Sequence, residues 1–233
     1  MDPRLARDPA AIRAMFSGVA PRYDLLNRLL SLRQDVRWRR RLVAALSAAP
    51  RGPVLDLAAG TGDVALAIRA RAVVGGDFSL PMLRVAGRKA RALGRRVAWV
   101  AADALALPFR GGAFAAVTIA FGVRNFADLA FGFREIGRVL APGGILGVLE
   151  LQRPARPTVA AAMKAWNRAV VRPLGRLISH DGDAYDYLPA SVDTFPDRLG
   201  IAAVLTGLGY AVLEGRDLSG GVAGLTVARW EGA

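Results

Sequence analysis

The sequence predicts an α/β fold, and three observations carry the prediction. From residue 53 to 151, short β-type runs alternate with helical segments. Those runs are continuously apolar rather than alternating, as expected for strands buried on both faces. One of them ends in a glycine loop that opens a helix: VLDLAAGTGDVAL, residues 54–66. Strands and helices in that rhythm specify a mainly parallel sheet with helices on both sides, a Rossmann-like arrangement.

Taken in order, residues 9–48 read as helices. Leu25, Leu26, Leu29 and Leu30 recur at helical spacing with Asp24 near their start, and Ser31 or Asp35 is placed to cap a second helix carrying Val36, Leu42, Val43 and Leu46. Pro50, Gly52 and Pro53 end the pattern. Five strands alternating with helices follow: PVLDLA with DVALAIRA, AVVGGD with LPMLRVAGRKARAL, RVAWVAAD with a turn at Pro108, AFAAVTIAF with DLAFGFREIGRVL, and ILGVLEL after Gly143 and Gly144. Residues 153–190 interrupt the rhythm with Pro154, Pro157 and a helical patch around Met163 and Trp166. The chain then closes with a helix near 194–207 and two strands, YAVLEG and GLTVARW, read as an antiparallel hairpin at the sheet edge. The whole is expected to be one domain, 1–233, with a helical N-terminal cap at 1–50 and a substrate-side insertion at 152–192.

Composition narrows the chemistry. The chain has no cysteine and a single histidine, His180, so disulfides, thiolate catalysis and a histidine-based metal cluster are excluded, and no metal site is expected. Thirty-two Lys and Arg against 19 Asp and Glu give a net charge of +13, carried almost wholly by arginine. Such a balance fits a nucleic acid or an anionic membrane surface, and it equally fits a general compositional bias. The absence of a secretory leader and of a long apolar run leads us to expect a cytoplasmic protein.

The glycine loop sets the ligand question. Gly60 and Gly62 allow close backbone approach, and Asp77, fifteen residues after Gly62 at the end of the second strand, is placed to accept from ribose hydroxyls. This much fits a dinucleotide and S-adenosylmethionine alike. Asp56 at the first strand end would repel a pyrophosphate and suits a cationic, amino-bearing ligand; Asp63 adds a second negative charge. Asp103, with the Ala104 amide beside it, is placed to read an adenine edge. Acids at three strand ends favour a sulfonium-bearing amino acid. Taken one by one, each is also an ordinary cap or turn residue.

DLAAGTGD, GDFSLPML and DALALPF resemble the class I S-adenosylmethionine-dependent methyltransferases. MFSGVAPRYDLLNRLLSLRQDVRWRRRLV, FGVRNFADLAFGFREIGRVLAPGGILGVLEL, YDYLPASVDTFP and DLSGGVAGLTVARW resemble more narrowly the quinone-biosynthesis C-methyltransferases, over residues 15–230. The resemblance implies a seven-stranded sheet, S-adenosylmethionine as cofactor, and contacts to it from Thr61, Asp77, Asp103 and Ala104. Ala59 and Ala120 depart from the family, which often has Gly or Cys at the first and Ser at the second.

The implied reaction methylates a ring carbon of demethylmenaquinol, with 2-methoxy-6-polyprenyl-1,4-benzoquinol as the alternative substrate. Arg124 and Asn125 are then the expected catalytic residues. Because arginine stays protonated, Arg124 is expected to stabilise a phenolate rather than act as a base. Glu150 and Asp181 are weaker candidates for a proton acceptor, Tyr185 and Tyr187 for ring contacts, and His180 reads as a loop residue. A prenylated quinol, a membrane surface on the cytoplasmic side and a second copy of the chain are the expected partners, and no nucleic acid is. Arg37, Arg39, Arg40 and Arg41 around Trp38 read either as a membrane-facing helix or as a solvated helix packed by Val36, Leu42 and Val43. A nucleic-acid methyltransferase would explain the charge, but FGVRN stands where amino-directed enzymes usually carry Asn/Asp-Pro-Pro-aromatic. A non-enzymatic cofactor-binding module and an NAD oxidoreductase are the remaining readings.

Overall fold

The computed structural model describes residues 23–69, 71–171, 173, 191–192 and 194–232. Seven strands form one sheet: β1 (Val54–Leu57), β2 (Val73–Asp77), β3 (Ala98–Ala101), β4 (Phe114–Ala120), β5 (Leu140–Leu151), β6 (Tyr210–Leu218) and β7 (Ala223–Trp230). Their order is β3-β2-β1-β4-β5-β7-β6. The first five pair in parallel, while β7 lies antiparallel between β5 and β6. The predicted hairpin is present, with its second strand inside and β6 at the edge. The order reverses between β1 and β4, which opens a crevice at their carboxyl ends.

Helices α1 (Tyr23–Leu30), α2 (Gln34–Ala45), α3 (Asp63–Ala67), α4 (Leu80–Ala92), α5 (Leu129–Val139), α6 (Pro157–Trp166) and α7 (Arg198–Gly207) surround the sheet. On one face Phe133 and Ile136 of α5 and Ile201 and Leu205 of α7 bury against Leu55, Leu57, Val117, Ile119, Leu146 and Val148. On the other, Trp38, Leu42 and Leu46 pack with Val54, Ala116, Ile145, Leu149 and Leu225. The residues alternate between faces along β1, β4 and β5, so the apolar runs are buried on both sides. Gly147 lets α2 come this close: a Cβ there would lie 2.6 Å from Leu42 Cδ1.

Local chemistry sets the helix ends. Asp128 accepts from the Phe131 amide and starts α5, and Asp197 accepts from the amides of Leu199 and Gly200 and starts α7. The turn before α2 uses Ser31 and Asp35 together: Ser31 Oγ donates to Asp35 Oδ1 at 2.8 Å, while the residue at the helix boundary, Arg33, is left-handed at φ 60°. The helix predicted over DVALAIRA is shorter than expected, because Ile68 turns extended after five helical residues.

Trp38 corrects one sequence expectation. It is 5% exposed, packs in the second core and donates from Nε1 to Ser219 Oγ at 2.9 Å, so it does not sit at a membrane interface. Arg39 is buried as well, while Arg37, Arg40 and Arg41 are exposed. The helix around Trp38 is therefore packed by its apolar side, with three of its arginines solvated.

Candidate active site

The glycine loop closes over the carboxyl end of β1. Gly60 and Gly62 take φ of 54° and 82°, which a Cβ would strain. The Gly62 amide donates to the Ala59 carbonyl at 2.8 Å, and the Ala59 amide to the Gly76 carbonyl at 3.0 Å, which ties the loop to β2. Ala58 and Phe121, at the ends of β1 and β4, also hold positive φ, 54° and 62°. Two left-handed non-glycine residues facing one crevice mark backbone held in place by its surroundings. Gly122 allows the two turns to meet, since a Cβ there would lie 2.4 Å from Ala58 Cβ.

The acids divide by what their oxygens do. Asp77 is buried; Oδ2 accepts from the Gly60 amide at 2.7 Å and Oδ1 from the Ser79 amide at 2.8 Å. Burial raises its carboxyl above the ordinary value against the pull of those amides. Asp56 is buried deeper, its Oδ2 accepting from the Ala65 amide and its Oδ1 from Thr118 Oγ1, each at 2.9 Å. Desolvation pushes it up to about 7. Asp56 thus ties α3 and β4 to the floor of the crevice, a duty the sequence did not assign it. Asp103 is exposed, and its Oδ1 caps the following turn through the Leu105 amide at 2.9 Å. Ala104 beside it is half-buried against the first core. Both stand past β3 at the same sheet end, outside the cavity described next.

A narrow cavity over the loop is lined by Tyr23, Arg39, Asp56, Gly60, Thr61 and Asp63 together with small residues of the loop and Ala120. The N-terminal cap supplies its roof. Thr61 Oγ1 donates to Asp24 Oδ1, and Lys89 Nζ bridges Asp24 Oδ2 at 2.6 Å and Asp63 Oδ1 at 2.5 Å. Arg28 reaches Asp63 Oδ2 at 3.2 Å, and Arg39 pairs with Asp35 while lying 3.6 Å from Asp63. Burial works to raise the Asp63 carboxyl, but Lys89, Arg39 and Arg28 outweigh it and hold it below its ordinary value. Tyr23 sits half-buried over Gly60; burial raises its hydroxyl against the pull of Arg39 and Arg124.

Arg124 and Asn125 lie in a single 3-10 turn, Val123–Asn125, directly after β4. The Arg124 side chain is 5% exposed and its Nη1 pairs with Glu150 Oε1, from β5. Glu150 also accepts from the Leu151 amide at 2.9 Å, and burial pushes its carboxyl up although Arg124 pulls it down. Arg124 Nε is buried with no hydrogen-bond partner among the described residues. Glu150 is therefore engaged in holding Arg124 instead of standing free as a proton acceptor. Asp181, His180, Tyr185 and Tyr187 lie outside the described residues. Among those described, no group of three or more His, Asp or Glu side chains is arranged to hold a metal.

Sequence reasoning missed the roof. The sequence singles out neither Tyr23 nor Lys89, places Asp24 only near a helix start, and leaves Arg39 among the arginines around Trp38. The available signal was the YD pair beginning α1, whose aspartate lies 37 residues from the threonine it grips.

The fold is shared widely. A structure of the [4+2]-cyclase SpnF superposes with a TM-score of 0.70 at 18% identity, over 94% of this chain and 95% of that one. A SAM-dependent methyltransferase from Aquifex aeolicus gives 0.59 at 14%, over 82% and 88%. Such distant likeness speaks for the fold alone. Sequence is more specific. A demethylmenaquinone methyltransferase of Thermus thermophilus is 53% identical over 203 residues, 85% of this chain and 92% of the relative. One of Deinococcus radiodurans is 44% identical, covering 93% and 91%, and a ubiquinone/menaquinone biosynthesis C-methyltransferase of Syntrophotalea carbinolica is 44% identical, covering 90% of each. The model of the ubiE/COQ5 methyltransferase family matches residues 5–229, nearly the whole length, and the chain belongs to that family.

Proposed function

We propose that the protein transfers a methyl group from S-adenosylmethionine to a ring carbon of a demethylmenaquinol. The observation that carries this reading is the buried Arg124–Glu150 pair beside the glycine loop, in a chain 41–53% identical to proteins named for that substrate. The lining fits the cofactor: Arg39 and Asp63 offer both signs to a zwitterionic amino-acid end, Asp56 holds the floor beneath it, and Gly60 leaves room for close approach. Asp77 and Thr61, with Gly62, are the further contacts we assign to it, and Asp103 with the Ala104 amide is assigned to its adenine end.

The cofactor supplies an electrophilic methyl on a sulfonium. Attack by the ring carbon would break the carbon–sulfur bond with its electron pair left on sulfur, and the ring would then lose the proton that carbon carried. The carbon is nucleophilic once the neighbouring hydroxyl is deprotonated, so stabilising a phenolate is the protein's task. Arg124 suits it: it keeps its charge, Glu150 fixes its guanidinium, and its Nε donor has no partner among the described residues. A buried donor without a partner costs about 1–3 kcal/mol, which a substrate oxygen would recover. Asn125 lies one residue on, half-buried at the end of the same turn, and we assign it as a hydrogen-bond partner in the site. Glu150 acts through Arg124 as a positioning residue.

The prenyl tail of such a substrate lives in a bilayer, so we assign the protein to the cytoplasmic membrane surface. No helix among the described residues is long and apolar enough to cross a membrane. The Syntrophotalea relative's name gives the ubiquinone arm a specific reason to be tested alongside. Purified protein is to be incubated with methyl-labelled S-adenosylmethionine and reduced demethylmenaquinone, the methoxy-benzoquinol, or RNA. Label is expected in the naphthoquinol, and Arg124→Ala is expected to lower kcat about a hundredfold or more with little change in cofactor affinity. Labelled RNA with unlabelled quinols would sink the reading; equal loss of turnover and cofactor affinity would remove Arg124 from the chemistry.

A further inference from the structure

At the opposite end of the sheet, where β2 and β3 begin, a groove of about 650 Å³ is lined by Arg71, Arg91, Arg95, Arg96, Gly87 and Trp99 and by small apolar residues between them. No described carboxylate lines it, and none forms an ion pair with any of the four arginines. Four guanidinium groups with no carboxylate partner among the described residues focus, in one concavity, a positive potential that a convex surface of equal charge would not.

The donors are graded. Arg71 is committed, donating to the carbonyls of Pro50 at 2.5 Å and Ala49 at 3.0 Å at the end of the α2 segment. Arg95 is half committed: Nη2 donates to the Ile68 carbonyl, while Nε is buried with no partner among the described residues. Arg91 and Arg96 are exposed, with no carboxylate partner. The floor is Gly87 on α4. An added Cβ there would stand 3.8 Å from Arg91 Nη1 and 4.0 Å from Trp99 Nε1, so the missing side chain brings a guanidinium and an indole N–H to one point. Guanidinium forks matched to clustered oxygen acceptors are the usual recognition of phosphate.

We propose that this groove binds an oxyanion of the phosphate class, as free phosphate or diphosphate or as the phosphate of a lipid headgroup. It is separate from the cavity over the glycine loop, which opens at the carboxyl end of β1 and β4 on the opposite end of the sheet, and it does not depend on the methyl-transfer reading.

The test is calorimetric titration of the full chain with sodium pyrophosphate in low-salt buffer, beside co-sedimentation with vesicles containing phosphatidylglycerol. Three variants are compared with the wild type. Arg91→Ala/Arg96→Ala removes the exposed donors. Gly87→Leu fills the floor and leaves every charge. Arg110→Ala/Arg134→Ala loses equal charge elsewhere. The first two are expected to weaken pyrophosphate binding roughly tenfold or more, and the third by much less. The same ranking in vesicle binding with pyrophosphate unaffected assigns the site to a headgroup. Absence of binding to both probes by the wild type overturns the proposal. So does equal weakening in all three variants, or no weakening towards either probe in the first, a surface change that leaves the core intact.

Discussion

Asp56 illustrates how a residue chosen for one role carries another. At a strand end beside a cofactor loop, an acid reads as a ligand contact. Its two oxygens instead hold the Ala65 amide and the Thr118 hydroxyl, and burial lifts its carboxyl to about 7 from an ordinary value near 4. The native state then binds a proton that the unfolded chain has released between those two values, so stability must fall as pH rises through the window. The contribution is fully present below about pH 4 and lost above about 7, with an upper bound of about 4 kcal/mol. Asp56→Asn keeps an acceptor for Ala65 and a donor for Thr118 but does not titrate. Urea unfolding from pH 5 to 8 is expected to show a shallower decline for the variant than for the wild type; parallel curves would place the titration elsewhere, at Glu150 or Asp77. Strand-end acids were legible in the sequence because period and turn chemistry are local. Which of them faces inward was not, since that depends on a hydroxyl 62 residues away.

The elements show the same division. Strand positions, the loop, both aspartate-capped helices and the closing hairpin follow from local patterns. The placement of α1 does not: it is fixed by charges on α3 and α4 distant in the chain. Lys89 is its central strut, held between Asp24 and Asp63 at 2.6 and 2.5 Å with about a quarter of its side chain exposed. A partly buried cation serving two carboxylates is worth more than a surface pair, about 1–2 kcal/mol here, because its loss leaves two acids facing each other. Asp63 keeps Arg28 and Arg39, so Lys89→Met is expected to loosen the cap without unfolding the sheet. Amide exchange in residues 24–30 should accelerate about tenfold while that of β4 stays unchanged. Uniform acceleration would mean that Lys89 stabilises the whole domain, and no acceleration that other contacts hold α1.

At the scale of the molecule, charge and apolar surface are distributed by end. The arginine groove lies where the parallel strands start. The crevice lies where they finish, under α1, and there α1 and its following turn leave Leu25, Leu29 and Leu32 at 57%, 44% and 66% exposed. Exposed Arg33, Arg37 and Arg40 stand close by on the same cap. Leucines beside arginines suit an anionic interface: partial burial of three leucines supplies about 2–4 kcal/mol and each nearby cation about 1. Contact made here would bring the roofed cavity to the bilayer that holds a prenylated substrate. The alternating arginines around Trp38 on the neighbouring helix fit a membrane face and a solvated helix equally; packing turns Trp38 inward and leaves the solvated helix. Leu29→Asp/Leu32→Asp is therefore expected to reduce co-sedimentation with phosphatidylglycerol vesicles about tenfold or more, with the melting temperature unchanged because neither leucine belongs to the core. Sedimentation equal to wild type, with the fold intact, would remove α1 as a membrane-contacting element. A fall in melting temperature of more than a few degrees would show that these leucines pack within the protein.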